Sequence, residues 1–199
     1  NLSANKQILK HCNNLFVKYK NNPNLIEANI LAASISVLAK YGGKDRYLEF
    51  LSLYNNSSTP QEEMRFLFSL SLFPNKQNFL NTLNLAMSSK VRTQNGPYLI
   101  GQTLRHPKFY SLAWEFVEEN WKSINKKFPE NSIPRLLTGI RTITDPNIAK
   151  QIQSFFSTHK VPQGQKTLDQ HLEKMIINVN FADFNLKYLK KFLANYKAM

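Results

Sequence analysis

Apolar residues recur along this chain at helical intervals. Leu168, Leu172, Met175, Ile176 and Val179 fall at i, i+4, i+7, i+8 and i+11. Ile148, Ile152, Phe155 and Phe156 form a second stripe, and Phe79, Leu80, Leu83, Ala86 and Met87 a third. The breaks between stripes carry helix punctuation. Thr59-Pro60-Gln61-Glu62 offers an N-cap, a proline at the first helical position and an acid where the helix dipole favours one. Asp145-Pro146 repeats that logic. Gly42-Gly43 follows a long stripe and offers a left-handed stop. Asn22-Pro23, Asn95-Gly96-Pro97, His106-Pro107 and Val161-Pro162 mark further breaks. The pattern predicts helices over 3–20, 24–41, 44–55, 60–72, 76–88, 96–105, 108–120, 133–143, 146–158, 165–181 and 184–197.

Loops of a few residues between such helices make neighbours pack antiparallel. About ten of them exceed a four-helix bundle, and no exact repeat period is visible. The expected fold is all-α: stacked antiparallel helical hairpins forming a HEAT/armadillo-like curved superhelix. Nothing in the 199 residues reads as a linker, so a single domain over 1–199 is expected.

Composition supports a packed core: 42% of residues are hydrophobic, with fourteen Phe, eight Tyr and two Trp against six Gly. No run approaches the length of a membrane span, so no membrane partner is expected. The first residues, Asn1-Leu2-Ser3-Ala4-Asn5-Lys6, do not read as a signal peptide and lack an initiator Met, as expected of a piece of a larger chain. The single Cys, Cys12, falls on the predicted buried face of the first helix and suits a reducing compartment, so a cytoplasmic location is expected.

Catalytic signatures are missing. His11, His106, His159 and His171 include no i, i+4 pair and no H-E-x-x-H, so no metal site is expected. There is no G-x-S-x-G and no phosphate loop. Glu62, Glu63, Glu115, Glu118 and Glu119 fall on presumed helix surfaces and read as solvated. No catalytic residue and no cofactor are therefore assigned.

Charge adds one feature. Net charge is +13, from 26 Lys+Arg and 13 Asp+Glu. No acid lies between Glu63 and Glu115, and only Asp145 opposes Arg135, Arg141, Lys150, Lys160 and Lys166. In a curved array, Arg92, Arg135 and Arg141 would converge on one face and suit an anionic group such as a peptide carboxylate or phosphate. A solvated basic surface is the alternative.

One ordered series of motifs goes further. Asp45-Arg46-Tyr47-Leu48-Glu49-Phe50-Leu51 precedes Leu53-Tyr54 and Thr59-Pro60-Gln61-Glu62. Then come Val91-Arg92-Thr93-Gln94-Asn95-Gly96-Pro97-Tyr98 and Leu112-Ala113-Trp114-Glu115-Phe116-Val117-Glu118-Glu119-Asn120-Trp121. Phe155-Phe156-Ser157 before Val161-Pro162 completes the series. From about residue 25 to 193 it resembles the C-terminal domain of the aminopeptidase N family of zinc metallopeptidases, which includes the endoplasmic-reticulum and puromycin-sensitive aminopeptidases.

The resemblance implies a helical bowl covering a metallopeptidase domain of the same parent chain, the two enclosing a chamber for the body and C-terminus of a peptide. It implies that zinc, its ligands and the general-base Glu lie in that catalytic domain, upstream. Where the family commonly reads Arg-Ser-Gln-Asp, this chain has Arg92-Thr93-Gln94-Asn95. Asn for Asp removes a charge and keeps a capping acceptor, so Asn95 is expected to be a structural cap. Arg92, Gln94, Arg135 and Arg141 are the expected substrate-facing residues. Thr59, Pro60, Glu62, Asn95, Trp114, Phe116 and Trp121 are expected to be structural. On a helix Leu112, Phe116 and Asn120 share one stripe and Ala113, Val117 and Trp121 another, with Trp114 just outside; the aromatics are expected to pack.

Two functions follow. The first is a non-catalytic domain of a zinc aminopeptidase that closes the chamber over peptide substrates. The alternative is a free-standing α-solenoid adaptor that uses its charge on an acidic protein or nucleic acid. The chain lacks the interleaved exposed aromatics and basic residues of a nucleic-acid module, which makes nucleic acid the weaker partner.

Overall fold

The computed structural model describes residues 5–196, so the predicted helix start at 3 and end at 197 lie outside it. Among the described residues there are helices and no strands: α1 (Lys6–Asn21), α2 (Ala28–Lys40), α3 (Lys44–Asn55), α4 (Pro60–Ser69), α5 (Lys76–Ala86), α6 (Gly96–Thr103), α7 (Tyr110–Glu119), α8 (Trp121–Lys127), α9 (Ile133–Leu137), α10 (Pro146–Thr158) and α11 (Gln165–Tyr196). The fold is all-α. The chain forms two compact units, Asn1–Ser88 and Ser89–Met199.

In the first unit, α1 packs on α2 and α3 on α4. Asn5 starts α1 by accepting from the amides of Gln7 and Ile8, and Cys12, Phe16 and Tyr19 form its buried face. Tyr47, Phe50 and Tyr54 do the same for α3. These faces converge on an aromatic core. The Phe50 ring stands edge-on to Phe16 (5.4 Å), Phe66 (5.4 Å) and Phe73 (5.8 Å). Such edge-to-face contacts place ring hydrogens against π faces and add about 0.5–1.5 kcal/mol each to burial. Arg46 closes the core from outside. Its guanidinium lies 5.1 Å from the Phe16 ring centre and donates to Glu49 (2.5 Å) and Asn13 (2.7 Å).

Thr59-Pro60-Gln61-Glu62 opens α4. The Thr59 hydroxyl accepts from the Glu62 amide at 3.2 Å, and Pro60 takes the first helical position, where no amide donor is needed. Glu62 is not the solvated acid expected. Its carboxylate reaches back to the amide (3.0 Å) and hydroxyl (3.1 Å) of Ser58 and also accepts from the Tyr19 hydroxyl of α1. Partial burial pushes the Glu62 pKa up, but the bonds from Tyr19 and Ser58, with Arg65 nearby, bring it below the ordinary value.

The glycine stop expected at Gly42-Gly43 is not left-handed. Among the described residues only Gly164 has a positive φ, +116°, just before α11. Gly42 is demanded by crowding instead, since a Cβ there would stand 2.6 Å from the Leu38 carbonyl oxygen and 2.8 Å from the Phe73 ring. Sequence spacing shows that a helix ends at Gly42 but cannot show which neighbour presses on it.

The second unit is built around two contacts. In one, α6 packs on α9 and on the 3-10 segment Thr138–Thr142, backbone against backbone. A Cβ at Gly139 would meet the Gly101 carbonyl oxygen at 2.3 Å and the Leu104 Cβ at 2.5 Å. In the other, α7, α8 and α10 share an aromatic cluster. Trp114 meets Phe155 (5.5 Å) and Phe156 (5.8 Å), and Trp121 meets both at 5.5 Å. Trp114 is the buried centre of α7 rather than a residue just outside its stripe, while Phe116 and Trp121 are half-buried. The α7 face turns toward Phe155 and Phe156 of α10, a partner that local spacing does not reveal.

Other boundaries also differ. The predicted 60–72 and 133–143 helices each end in 3-10 geometry. Pro23–Leu25 is a separate 3-10 turn before α2, and α8 was not expected. The predicted 165–181 and 184–197 helices are one helix, because no residue between them removes a donor or breaks the ladder.

Gly139→Ala is expected to cost about 1–3 kcal/mol in urea unfolding, the range for overpacking a filled site. Gly43→Ala, with open space around its Cβ position, should cost less, about 0.5–1 kcal/mol, through the poorer alanine N-cap of α3. Thr59→Ala should cost about 1 kcal/mol in the same assay, through loss of the α4 cap.

Candidate functional site

The expected substrate-facing residues all lie in the second unit, and all are exposed. Arg92 and Gln94 occupy the turn into α6, where the Arg92 carbonyl accepts from the amides of Asn95 (2.8 Å) and Gly96 (3.1 Å). Asn95 is buried, but it does not cap with its side chain. Its backbone is already helical (φ −93°, ψ −29°), so the side chain cannot fold over the first turn, and its carbonyl accepts from Leu99 instead.

The packing of α6 on α9 brings Arg135 to Tyr98. The guanidinium donates to the Tyr98 hydroxyl at 3.1 Å and lies 6.0 Å from the ring centre, a cation–π geometry. Arg141 follows in the 3-10 segment after α9, its carbonyl accepting from Asn178 of α11 at 2.5 Å.

The fold also sets two residues without an expected site role, His171 and Arg105, in electrostatic reach of each other, with Arg141 near His171 as well. His171 of α11 is buried, and its Nε2–H donates to the Pro134 carbonyl at 3.1 Å, with the Thr138 hydroxyl at 3.4 Å. Burial pushes its pKa below 6.5; the cations Arg141 and Arg105 push it further, and the Pro134 carbonyl, which favours the charged ring, offsets only part. The missed signal for His171 was its spacing with Leu168 and Met175, which puts it on the buried face of α11. For Arg105 the signal was its place in the acid-free stretch between Glu63 and Glu115. Arg105 lies just after α6, and only the fold sets it near His171.

The histidines do not fit a metal ion. His106 is buried and accepts from the Lys108 and Phe109 amides through Nδ1, both at 3.2 Å. His159 stacks on Phe155 at 3.9 Å, and His171 is turned toward Pro134. Among the described residues no three His, Cys, Asp or Glu come together as ligands. Arg135, Arg141 and Arg105 are exposed cations that can attract an anion. A groove of about 670 Å³ in the first unit, lined by Leu9, Leu38, Tyr41, Lys44, Arg46 and Glu49, suits this less, because Arg46 and Glu49 already pair there.

The model of the ERAP1-like C-terminal domain family matches residues 1–177. The chain belongs to this family. It is 30% identical over 156 residues to aminopeptidase M1-C of Oryza sativa subsp. japonica, covering 76% of this chain and 18% of that protein. It is 30% identical over 173 residues to endoplasmic reticulum aminopeptidase 2 of Bos taurus (84% of this chain, 18% of that protein), and 29% identical over 173 residues to the Homo sapiens protein of that name. The chain thus spans about a fifth of the length of the curated relatives it matches. Among the described residues of this family member, no helix is long and apolar enough to cross a membrane.

The depressed His171 sets a pH dependence. Below 6.5 the unfolded chain takes up a proton that the folded imidazole refuses, so stability should fall as pH drops through 6.5 and level off once the folded ring protonates. Urea midpoints at pH 5.5 and 7.5 check this, and His171→Gln should flatten the difference.

Proposed function

We propose that this chain is the non-catalytic C-terminal domain of a zinc metallo-aminopeptidase. In this reading residues 1–199 are one domain of a larger chain, folded as a curved superhelix of stacked hairpins. Its partner is the catalytic metallopeptidase domain of the same parent. The two enclose the chamber in which a peptide lies beyond the scissile N-terminal bond. The zinc that activates water for hydrolysis belongs to the catalytic domain. The observation that carries the reading is the family match across residues 1–177, in a chain one-fifth the length of its aminopeptidase relatives.

Within that role, Arg92, Arg135 and Arg141, with Gln94 beside Arg92, face the chamber and attract the peptide's C-terminal carboxylate. The acid-free sequence around α6 and the exposure of all four side chains support this. The cytoplasmic location expected from the lone Cys12 has no support from the relatives, two of which carry the endoplasmic reticulum in their names.

Charge reversal tests the role. In the full-length parent, Arg135→Glu or Arg141→Glu should lower kcat/KM for peptides of about ten residues by about tenfold, the worth of one charge-assisted hydrogen bond. A chromogenic single-residue substrate, which has no distal carboxylate, should be unaffected. Equal losses on both substrates would remove the assigned role.

A further inference from the structure

α11 is two different helices in one. Its first half buries Leu168, His171, Met175 and Val179. From Ile177 onward, where the family match ends, it carries exposed apolar residues: Phe181 is 68% exposed, Phe184 64%, Tyr188 64%, Phe192 63% and Tyr196 69%. At 100° per residue, Phe181, Phe184 and Phe192 lie within about 40° of Tyr188 around the helix, and Tyr196 within about 80°. The five rings form one stripe. Within it Phe184 and Tyr188 lie 5.3 Å apart, and Phe192 and Tyr196 6.1 Å apart.

The stripe is close to palindromic. Phe184 and Phe192 stand four residues either side of Tyr188, with Phe181 seven before and Tyr196 eight after. A surface of that kind is complementary to itself under a two-fold axis, since an antiparallel copy sets Phe184 against Phe192 and Tyr188 against Tyr188. Taking roughly 200 Å² per aromatic side chain, five rings about two-thirds exposed present roughly 650 Å². Two copies would bury at most roughly 1,300 Å², against the ~1,000 Å² that marks a specific interface.

We propose that two copies of this chain pair antiparallel through the aromatic stripe of α11, with Tyr188 on the two-fold axis. The lysines Lys187, Lys190 and Lys191 lie to one side of the stripe and remain in water. Leu186, about 200° around the helix from Tyr188, lies outside the interface. The pairing is independent of the aminopeptidase reading.

Sedimentation velocity of the 199-residue chain tests this up to about 100 µM. The expected species has twice the 23.1 kDa chain mass. Tyr188→Asp should weaken pairing at least about tenfold, while Leu186→Asp leaves it within about threefold. Both positions are exposed, so helix content by circular dichroism should be unchanged. A short bis-maleimide should link Tyr188→Cys into a covalent dimer and leave Asn180→Cys monomeric, with the buried Cys12 unreactive in both. A chain that stays monomeric at all concentrations overturns the proposal. So does a dimer indifferent to Tyr188→Asp, or one that Leu186→Asp disrupts equally. In those cases the stripe belongs to another part of the parent protein or to another interface.

Discussion

Edge-to-face packing of aromatic rings is the interaction on which each unit depends. Phe50 meets three other Phe rings in the first unit, and Phe155 meets Trp114 and Trp121 in the second. Aromatic side chains bury much apolar area while immobilising only two torsions each, so a few of them offset the conformational entropy of several short helices. They also impose orientation. A leucine core tolerates rotation of one helix against another, whereas an edge-on ring contact is lost when a helix turns. The helices of each unit are therefore fixed about their own axes as well as in position.

Polar groups hold the edges of those clusters. Tyr19 and Tyr47 keep their rings in the first core and send their hydroxyls to Glu62 and Thr82. Glu62 thereby does two things at once, closing the start of α4 and tying α4 to α1. In the second unit Asp145 has the same double duty, capping α10 through the amides of Asn147 and Ile148 while accepting from the Tyr110 hydroxyl at 3.2 Å. One carboxylate satisfying both a helix end and a neighbouring helix is an economical way to register short elements, because it uses amides that would otherwise need water.

Close backbone packing also positions arginines in the second unit. Without a side chain at Gly139, α6 approaches the segment after α9 closely enough for Arg135 to reach Tyr98. The same closeness brings Arg105 and Arg141 near His171, whose imidazole is kept neutral by burial first and by those cations second. A neutral histidine there adds no repulsion to the arginines beside it.

The sequence by itself determined the helical content, most helix starts and the family. Those depend on local chemistry: period 3.6 in the apolar residues, a hydroxyl or carboxylate before a proline, and motifs in a fixed order. Tertiary structure alone decided the rest, because contacts between residues far apart in the chain leave no local trace. Trp114 became the centre of its helix only when α10 arrived, Gly42 is small because of Phe73, and His171 and Arg105 meet only in the fold. Asn95 lost its capping role for the same reason, since the turn from Arg92 had already set its backbone.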